Sequence, residues 1–152
     1  MTASGMKSRI VFLVVMILAA AGAFQLALAA QQESQSTWDG VYTEEQAKRG
    51  GEFYGKSCAN CHGGELEGAD MTPGLTGSMF TSNWDGLTLG DLFERIRITM
   101  PADQPGSMPR QEIADVIAYI LTINKFPAGK TELPREVIAL KQIRFVATKP
   151  GP

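Results

Sequence analysis

The stretch "YGKSCANCHGGE", from Tyr54 to Glu65, contains both cysteines of the 152-residue chain and its one histidine. Cys58, Cys61 and His62 form a Cys-x-x-Cys-His motif that occupies five consecutive positions. A disulfide between cysteines this close would form a very small loop and add almost no stability through chain entropy. The motif therefore indicates chemistry and not a structural bridge.

Three kinds of site use cysteine and histidine at this spacing. A closed zinc site needs four ligands, and the chain has no further Cys or His. A thiol-disulfide centre needs a low-pKa thiolate and a neighbouring βαβ pattern, and strand periodicity is scarce around the motif. Covalent haem uses every residue, because two thiols attach the ring and the adjoining histidine reaches the iron. The motif predicts one haem c attached through Cys58 and Cys61, with His62 on the iron.

The N-terminal segment has the pattern of an export signal. Lys7 and Arg9 precede an apolar run over residues 10–30, which ends in small residues. We expect cleavage after Ala29 and a periplasmic mature protein. The alternative is a retained membrane anchor, because about 20 apolar residues span a bilayer. Covalent haem attachment outside the cytoplasm agrees with either form of export.

Length and charge predict one small, mildly acidic domain. Removal of residues 1–29 leaves 123 residues and changes the formal charge from −2 to −4. This length suits a single domain, and the charge argues against nucleic acid or anionic lipid as the main partner. After the signal peptide, the predicted organisation is a flexible linker over 30–42, the haem domain over 43–126 and a C-terminal extension over 127–152. The apolar residues of the extension predict packing along the domain or against a partner.

Methionine is the soft ligand left for the sixth iron position, because His62 has no second histidine to accompany it. Met71 and Met79 follow the motif closely, in or just after a Gly-rich loop. Met100 precedes a proline, which favours an extended backbone and presents the side chain from a loop. Met108 stands just before a predicted helix, where an apolar residue commonly packs as a staple. We expect Met100 to be the ligand, with Met108, another methionine or an open position as alternatives.

Helical periodicity predicts an all-α fold. The segments "EEQAKRGGEFYGKS" and "LGDLFERIRI" begin with the capping signatures Thr43-x-x-Gln46 and Thr88-x-x-Asp91. A third helix has an apolar stripe made of Ile113, Val116, Ile117, Ile120 and Leu121. The intervening segments are rich in Gly and Pro, as expected of loops around a large flat ligand.

From about Thr43 to Asn124 the chain resembles a class I c-type cytochrome. Gly50 and Tyr54 stand eight and four residues before Cys58, as the small residue and the aromatic do in that family's first helix. The resemblance implies the cytochrome c fold, in which three to five helices and Gly/Pro-rich loops surround one covalent haem. It also implies that the glycine lets the last helix cross the first closely.

The segment "TPGLTG" resembles the family loop whose proline carbonyl accepts a hydrogen bond from the histidine ring. This resemblance implies that Pro73 orients His62 and that Leu75 lies against the haem. Trp84 either donates a hydrogen bond to a haem propionate or is an ordinary core tryptophan.

A closer likeness is to the cytochrome domains that accompany PQQ-dependent (quinoprotein) alcohol dehydrogenases. It rests on a Trp-Asp-Gly segment, then "TMP", "PGS", "AYIL", Asn124 and "PAG". In such proteins the methionine of "TMP" is the distal ligand, which supports Met100. One departure is Met108, where relatives usually carry leucine.

With both axial positions filled, the iron has no place for a substrate, so we expect an electron-transfer protein and not an enzyme. It would carry single electrons from a periplasmic dehydrogenase to a downstream acceptor such as a terminal oxidase. A fixed subunit of a dehydrogenase complex is one form of this function. The alternative from another class is a haem enzyme or gas-binding protein with an open sixth position.

Overall fold

The computed structural model describes residues 35–151, and the predicted signal peptide over 1–29 lies outside them. The elements run in the order β1, Gln35–Ser36; α1, Glu44–Ser57; α2, Ala59–His62; α3, Gly77–Trp84; α4, Leu89–Thr99; α5, Arg110–Ile123; α6, Val137–Leu140; and β2, Ile143–Arg144. Helices α1, α3, α4 and α5 have 8 to 14 residues, whereas α2 and α6 are turns of 4 residues. The all-α class is confirmed, and the number of longer helices lies within the predicted three to five. None of the helices between residues 35 and 151 is both long enough and apolar enough to cross a membrane.

Helices α1 and α4 begin at the capping residues that the sequence predicts. The Thr43 hydroxyl accepts a hydrogen bond from the N–H of Gln46 at 3.1 Å. At α4 the capping box is complete, because the Asp91 N–H donates to the Thr88 hydroxyl and the Thr88 N–H donates to the Asp91 carboxylate. These bonds satisfy N–H groups that have no partner within the helix.

Helices α1 and α5 cross in direct backbone contact at Gly50. A Cβ atom at this position would lie 1.8 Å from the carbonyl oxygen of Asp115, so only glycine fits. The apolar stripe of α5 is at most 3% exposed: Ile113, Val116, Ile117, Ile120 and Leu121. The close crossing expected at Gly50 is confirmed, and it holds the end of α1 that leads into the Cys-x-x-Cys-His motif.

Helix α3 occupies a segment in which no helical pattern is predicted. Phe80 is the buried residue of this helix, so the segment lacks the repeated apolar positions that mark a helix in sequence. The Phe80 ring packs edge-on against Phe145, with 6.1 Å between centroids. Helix α3 is therefore not predicted from its local sequence, and its buried side chain packs against a distant part of the chain.

For residues 35–42 the structure differs from the flexible linker predicted over 30–42, because these residues pack mainly against the C-terminal segment. Residues 30–34 lie outside the described residues. Strand β1 pairs in parallel with β2. Tyr42 is 1% exposed, and its hydroxyl donates to the carbonyl of Phe126 at 2.7 Å. The Trp38 indole N–H donates to the carbonyl of Val146 at 2.8 Å. Aromatic burial and these hydrogen bonds order a segment that looks like a linker in sequence.

The C-terminal extension packs along the domain, which is the first of the two arrangements expected for it. Its core residues are at most 3% exposed: Leu133, Leu140, Ile143 and Phe145. The buried Gln46 side chain donates to the carbonyl of Leu133 at 3.0 Å and accepts from its N–H at 2.6 Å. Because these bonds satisfy both backbone groups of Leu133, α1 holds the start of the extension in place.

Candidate haem-binding site

The Cys-x-x-Cys-His motif lies at the junction of α1 and α2. The N–H of Cys58 bonds to the carbonyl of Tyr54 at 2.8 Å, which continues α1 to the first cysteine. The carbonyl of Cys58 then accepts the N–H groups of Cys61 and His62 at 3.1 and 3.0 Å. This single helical turn groups the three side chains at the end of a helix that the Gly50 crossing holds in position.

The imidazole of His62 has one nitrogen bonded to the protein. His62 is 8% exposed, and its Nδ1 lies 2.9 Å from the carbonyl oxygen of Pro73. A carbonyl oxygen only accepts hydrogen bonds, so Nδ1 must carry the proton. The lone pair of a neutral ring is then on Nε2, which is the arrangement required of a metal ligand.

The loop that carries Pro73 folds back onto the motif through a small hairpin. Ala69 and Thr72 exchange backbone hydrogen bonds at 3.1 and 2.7 Å. A Cβ atom on Gly68 would lie 2.6 Å from the carbonyl oxygen of Thr72, and one on Gly74 would lie 2.8 Å from backbone oxygen on the opposite side. The glycines therefore permit the close return of the chain that brings the Pro73 carbonyl to His62.

Asn124, at the end of α5, connects this loop to the last long helix. Its side-chain amide donates to the carbonyl of Leu75 at 2.9 Å. Its side-chain oxygen accepts from the N–H of Gly77 at 3.1 Å. Leu75 is half-buried and packs on the core. In the sequence, Asn124 is only one position of the pattern shared with dehydrogenase-associated cytochrome domains. The structure shows the hydrogen bonds that its side chain makes.

The two thiols are free, with Cys58 half-buried and Cys61 exposed. Burial, and to a lesser extent the neighbouring Cys61, raises the pKa of the Cys58 thiol to about 11. Thiol-disulfide exchange requires a thiolate, so this environment disfavours a redox role for the pair. Within residues 35–151, no three His, Cys, Asp or Glu side chains are grouped so that they could hold a metal ion. The donor set therefore fits covalent haem better than zinc or dithiol chemistry.

The four methionines of the described residues differ sharply in burial. Met71 is 97% exposed at the tip of the hairpin, and Met79 is 78% exposed on α3. Met108 is 8% exposed and belongs to the hydrophobic core. Met100, at the end of α4, has the extended backbone expected before a proline and is partly buried against the core. Met100 thus combines a thioether partly shielded from water with a position outside the closed core.

Trp84 is half-buried at the end of α3, with its ring 6.3 Å from that of Phe80. Among residues 35–151, its indole N–H donates no hydrogen bond to another residue. The loop that follows is bonded to the C-terminal segment, because the Gly86 N–H donates to the carbonyl of Phe145 at 2.9 Å. Trp84 therefore packs against the core, and its indole N–H stays available as a donor. This position is compatible both with core packing alone and with a hydrogen bond to a haem propionate.

Leu66 contributes to the site, although no sequence pattern singles it out. It is completely buried although its backbone has a φ of +61°, which is rare for a bulky residue. Its carbonyl accepts the N–H of Leu75 at 2.8 Å, so it anchors the returning loop. The signal in sequence is slight: one leucine in the polar run "GGELEGAD".

A surface hollow of about 820 Å³ lies elsewhere, along α1 and α5. Tyr42, Lys48, Tyr119 and Lys125 are among its lining residues, and none of the predicted haem ligands contributes. We therefore do not assign it to the haem site.

A helical domain whose first helix leads into Cys-x-x-Cys-His, and is crossed at a glycine by its last long helix, is a class I c-type cytochrome. The chain belongs to the family described as cytochrome c oxidase, cbb3-type, subunit III, whose model matches residues 45–120. Covalent haem c and electron transfer are the cofactor and the role of such domains. No curated protein and no solved structure matches the chain.

Proposed function

We propose that this protein is a monohaem c-type cytochrome that carries single electrons, and that His62 and Met100 would be the two protein ligands of the iron. The observation that carries the proposal is the 2.9 Å contact between His62 Nδ1 and the Pro73 carbonyl. It commits one ring nitrogen to the protein and leaves Nε2 to bind iron. The haem supplies an Fe(III)/Fe(II) couple, and no substrate bond is made or broken.

Each residue of the motif has a separate part in holding the cofactor. The thiols of Cys58 and Cys61 would add across the two vinyl groups of the ring, with each S–H hydrogen going to the neighbouring carbon and no leaving group. The resulting thioethers would tether the haem at the junction of α1 and α2. The Pro73 carbonyl fixes the tautomer and orientation of His62, and Leu75 would supply an apolar contact to the haem.

Methionine ligation and a shielded ring set the direction of the redox potential. A thioether ligand stabilises the ferrous state and raises the potential. Apolar surroundings act in the same direction, because they disfavour the additional charge of the ferric state. We therefore expect a positive midpoint potential.

We further propose that the protein acts in the periplasm, after export directed by residues 1–29. Its electrons would come from a dehydrogenase, in keeping with the likeness to domains that accompany quinoprotein alcohol dehydrogenases. The family name refers to a subunit of a cytochrome c oxidase, which supports a terminal oxidase as acceptor.

The test is a visible spectrum of the air-oxidised protein, examined for the weak charge-transfer band of a sulfur–Fe(III) bond. We expect the band in the wild type and in Met108→Ala, and its loss in Met100→Ala. Met108→Ala is the matched control, because it removes a core methionine and should cost about 2–5 kcal/mol of stability without changing the ligand. Mass spectrometry of the intact chain checks that one haem is covalently attached.

Loss of the band in Met108→Ala alone would assign the ligand to Met108. Absence of the band in the wild type, together with carbon monoxide binding to the reduced protein at neutral pH, would open the sixth position. The haem enzyme or gas-binding function would then replace electron transfer.

A further inference from the structure

We propose that the Tyr54 hydroxyl positions His62, through the carbonyl of Gly63, and thereby adjusts the electron donation of the imidazole to iron. This inference deepens the proposed function and rests on His62 being the iron ligand. Tyr54 itself does not touch the ligand ring in this proposal. It acts on the backbone immediately after His62.

The Tyr54 hydroxyl donates to the carbonyl oxygen of Gly63 at 2.7 Å. Tyr54 is 1% exposed, and its ring packs against Tyr119 with 5.4 Å between centroids. Burial raises the pKa of Tyr54 above its ordinary value, so the hydroxyl remains a proton donor at physiological pH. A buried ring held between α1 and α5 thus directs one hydrogen bond at one backbone carbonyl.

Gly63 is the point at which the chain reverses after the histidine. Its φ of 81° with ψ of 155° is a conformation essentially restricted to glycine. An added Cβ would also lie 2.3 Å from the side chain of Glu67. On the histidine side of the reversal, the carbonyl of His62 accepts the N–H of Gly68 at 2.7 Å. The Tyr54 bond therefore restrains the first residue of the loop that returns Pro73 to the imidazole.

Loss of the hydroxyl would leave the Gly63 carbonyl without this donor and loosen the start of the loop. The His62 Nδ1–H bond to Pro73 would then weaken, since the loop holds Pro73 against the ring. A weaker bond makes the imidazole a poorer electron donor, and the ferric state loses more stabilisation than the ferrous state. The midpoint potential of a Tyr54→Phe protein should therefore rise.

Tyr42→Phe provides a matched control in the same chain. Tyr42 is also 1% exposed, and its hydroxyl also donates to a backbone carbonyl at 2.7 Å, that of Phe126. Phe126 lies beyond α5 and not in the loop that carries Pro73. Tyr54→Phe removes one hydrogen bond and should lose about 1 kcal/mol of stability. Tyr42→Phe also removes the bond that its hydroxyl accepts from the Thr122 hydroxyl at 3.0 Å, so it should lose about 2 kcal/mol.

The experiment measures two quantities on the haem-containing wild type and both variants. One is the NMR shift of the His62 Nδ1 proton in the diamagnetic reduced protein, and the other is the midpoint potential. Tyr54→Phe should move the proton upfield and raise the Fe(II)/Fe(III) ratio at fixed ambient potential about threefold, which corresponds to ~30 mV for one electron. Tyr42→Phe should change neither quantity. Equal shifts in both variants, or none in Tyr54→Phe, would overturn the proposal.

A second substitution keeps the proposal testable if Tyr54→Phe does not fold. Replacement of Tyr54 with 3-fluorotyrosine retains the hydroxyl and makes it a stronger hydrogen-bond donor. The His62 Nδ1 proton should then move downfield, and the midpoint potential should fall. An unchanged proton shift and potential would again contradict the inference. Failure of the proposed function is recognised separately, because the wild type would then lack covalent haem or the sulfur–iron band.

Discussion

His62, the proposed iron ligand, is the one histidine of the chain, and the protein holds it through its ring and its backbone. The Pro73 carbonyl holds Nδ1, the carbonyl of Cys58 holds its N–H, and Gly68 holds its carbonyl. A side chain with its ring and both backbone groups bonded loses little further freedom on binding metal. At the scale of one residue, the site is therefore largely organised by the protein itself.

Asp91 allows a pH-dependent prediction at the same scale. Hydrogen bonds from the Thr88 hydroxyl and then from the Thr88 N–H hold the pKa of Asp91 below its ordinary value. A lowered folded-state pKa stabilises the protein above the unfolded value of about 3.9, and this stabilisation is lost as the pH falls through the folded pKa. Asp91→Asn should therefore lower the free energy of unfolding by about 1 kcal/mol at neutral pH and by much less near pH 2.

Denaturant titrations of the wild type and Asp91→Asn at several pH values measure this difference. Asp103→Asn is the control, because Asp103 is exposed in a loop and is not part of a helix cap. A difference between wild type and Asp91→Asn that stays constant from neutral pH to pH 2 would argue against the charged cap.

The contact between α1 and α5 is the main relation between elements in this fold. Helix α1 leads into the Cys-x-x-Cys-His motif, and α5 is followed by Asn124, which holds the loop carrying Leu75. The crossing at Gly50 thus sets the distance between the two parts of the haem site. Across the same crossing, Arg49 forms an ion pair with Asp115 at 3.1 Å.

Gly50→Ala should therefore destabilise the protein strongly. The new methyl group would lie 1.8 Å from the carbonyl oxygen of Asp115, so the two helices would have to separate, at a cost of about 3 kcal/mol or more. Gly55→Ala is the matched control in the same helix, where an added Cβ meets nothing within 4 Å. Because alanine favours helix, Gly55→Ala should be neutral or stabilise by up to ~1 kcal/mol.

Thermal or denaturant unfolding of the two variants measures this contrast. The variant at Gly50 should also incorporate less haem, because displacement of α1 from α5 separates the motif from the loop. Similar stability of the two alanine variants would mean that the helices do not cross at Gly50.

At the scale of the whole molecule, both ends of the described chain close over the same region. The Thr37 N–H bonds to the carbonyl of Arg144 at 3.0 Å. The rings of Trp38, Phe126 and Phe145 form a continuous row, with centroid distances of 4.8 and 5.2 Å. The C-terminal extension therefore belongs to the folded unit and supports the loop that follows Trp84.

Phe145→Ala should lower the free energy of unfolding by about 3–5 kcal/mol, because a fully buried ring leaves a cavity when removed. Ile138→Ala is the control within the same extension, because Ile138 is 82% exposed and should change stability by no more than ~0.5 kcal/mol. Denaturant unfolding of both variants distinguishes them. Equal, small effects would show that the extension contributes no core, as would its removal by limited proteolysis without loss of stability.

The sequence by itself determined the chemistry of the motif, the three periodic helices and the N-terminal caps of α1 and α4, because each depends on residues within a few positions of one another. Thr88 and Asp91, for example, are three residues apart. The same local signature at Thr43 and Gln46 has a different outcome, since the Gln46 side chain bonds to Leu133, 87 residues away. Local spacing cannot specify such a partner.

Tertiary structure alone decided the contacts that shape the site from a distance. It ordered residues 35–42 against a segment more than a hundred residues later, where Thr37 meets Val146. It also separated Met108, within the core, from Met100 at its margin, although both precede proline in sequence. The physical reason is the same in each case. Burial and long-range hydrogen bonds depend on which segments the folded chain brings together, and the residues next to a position in sequence do not specify those segments.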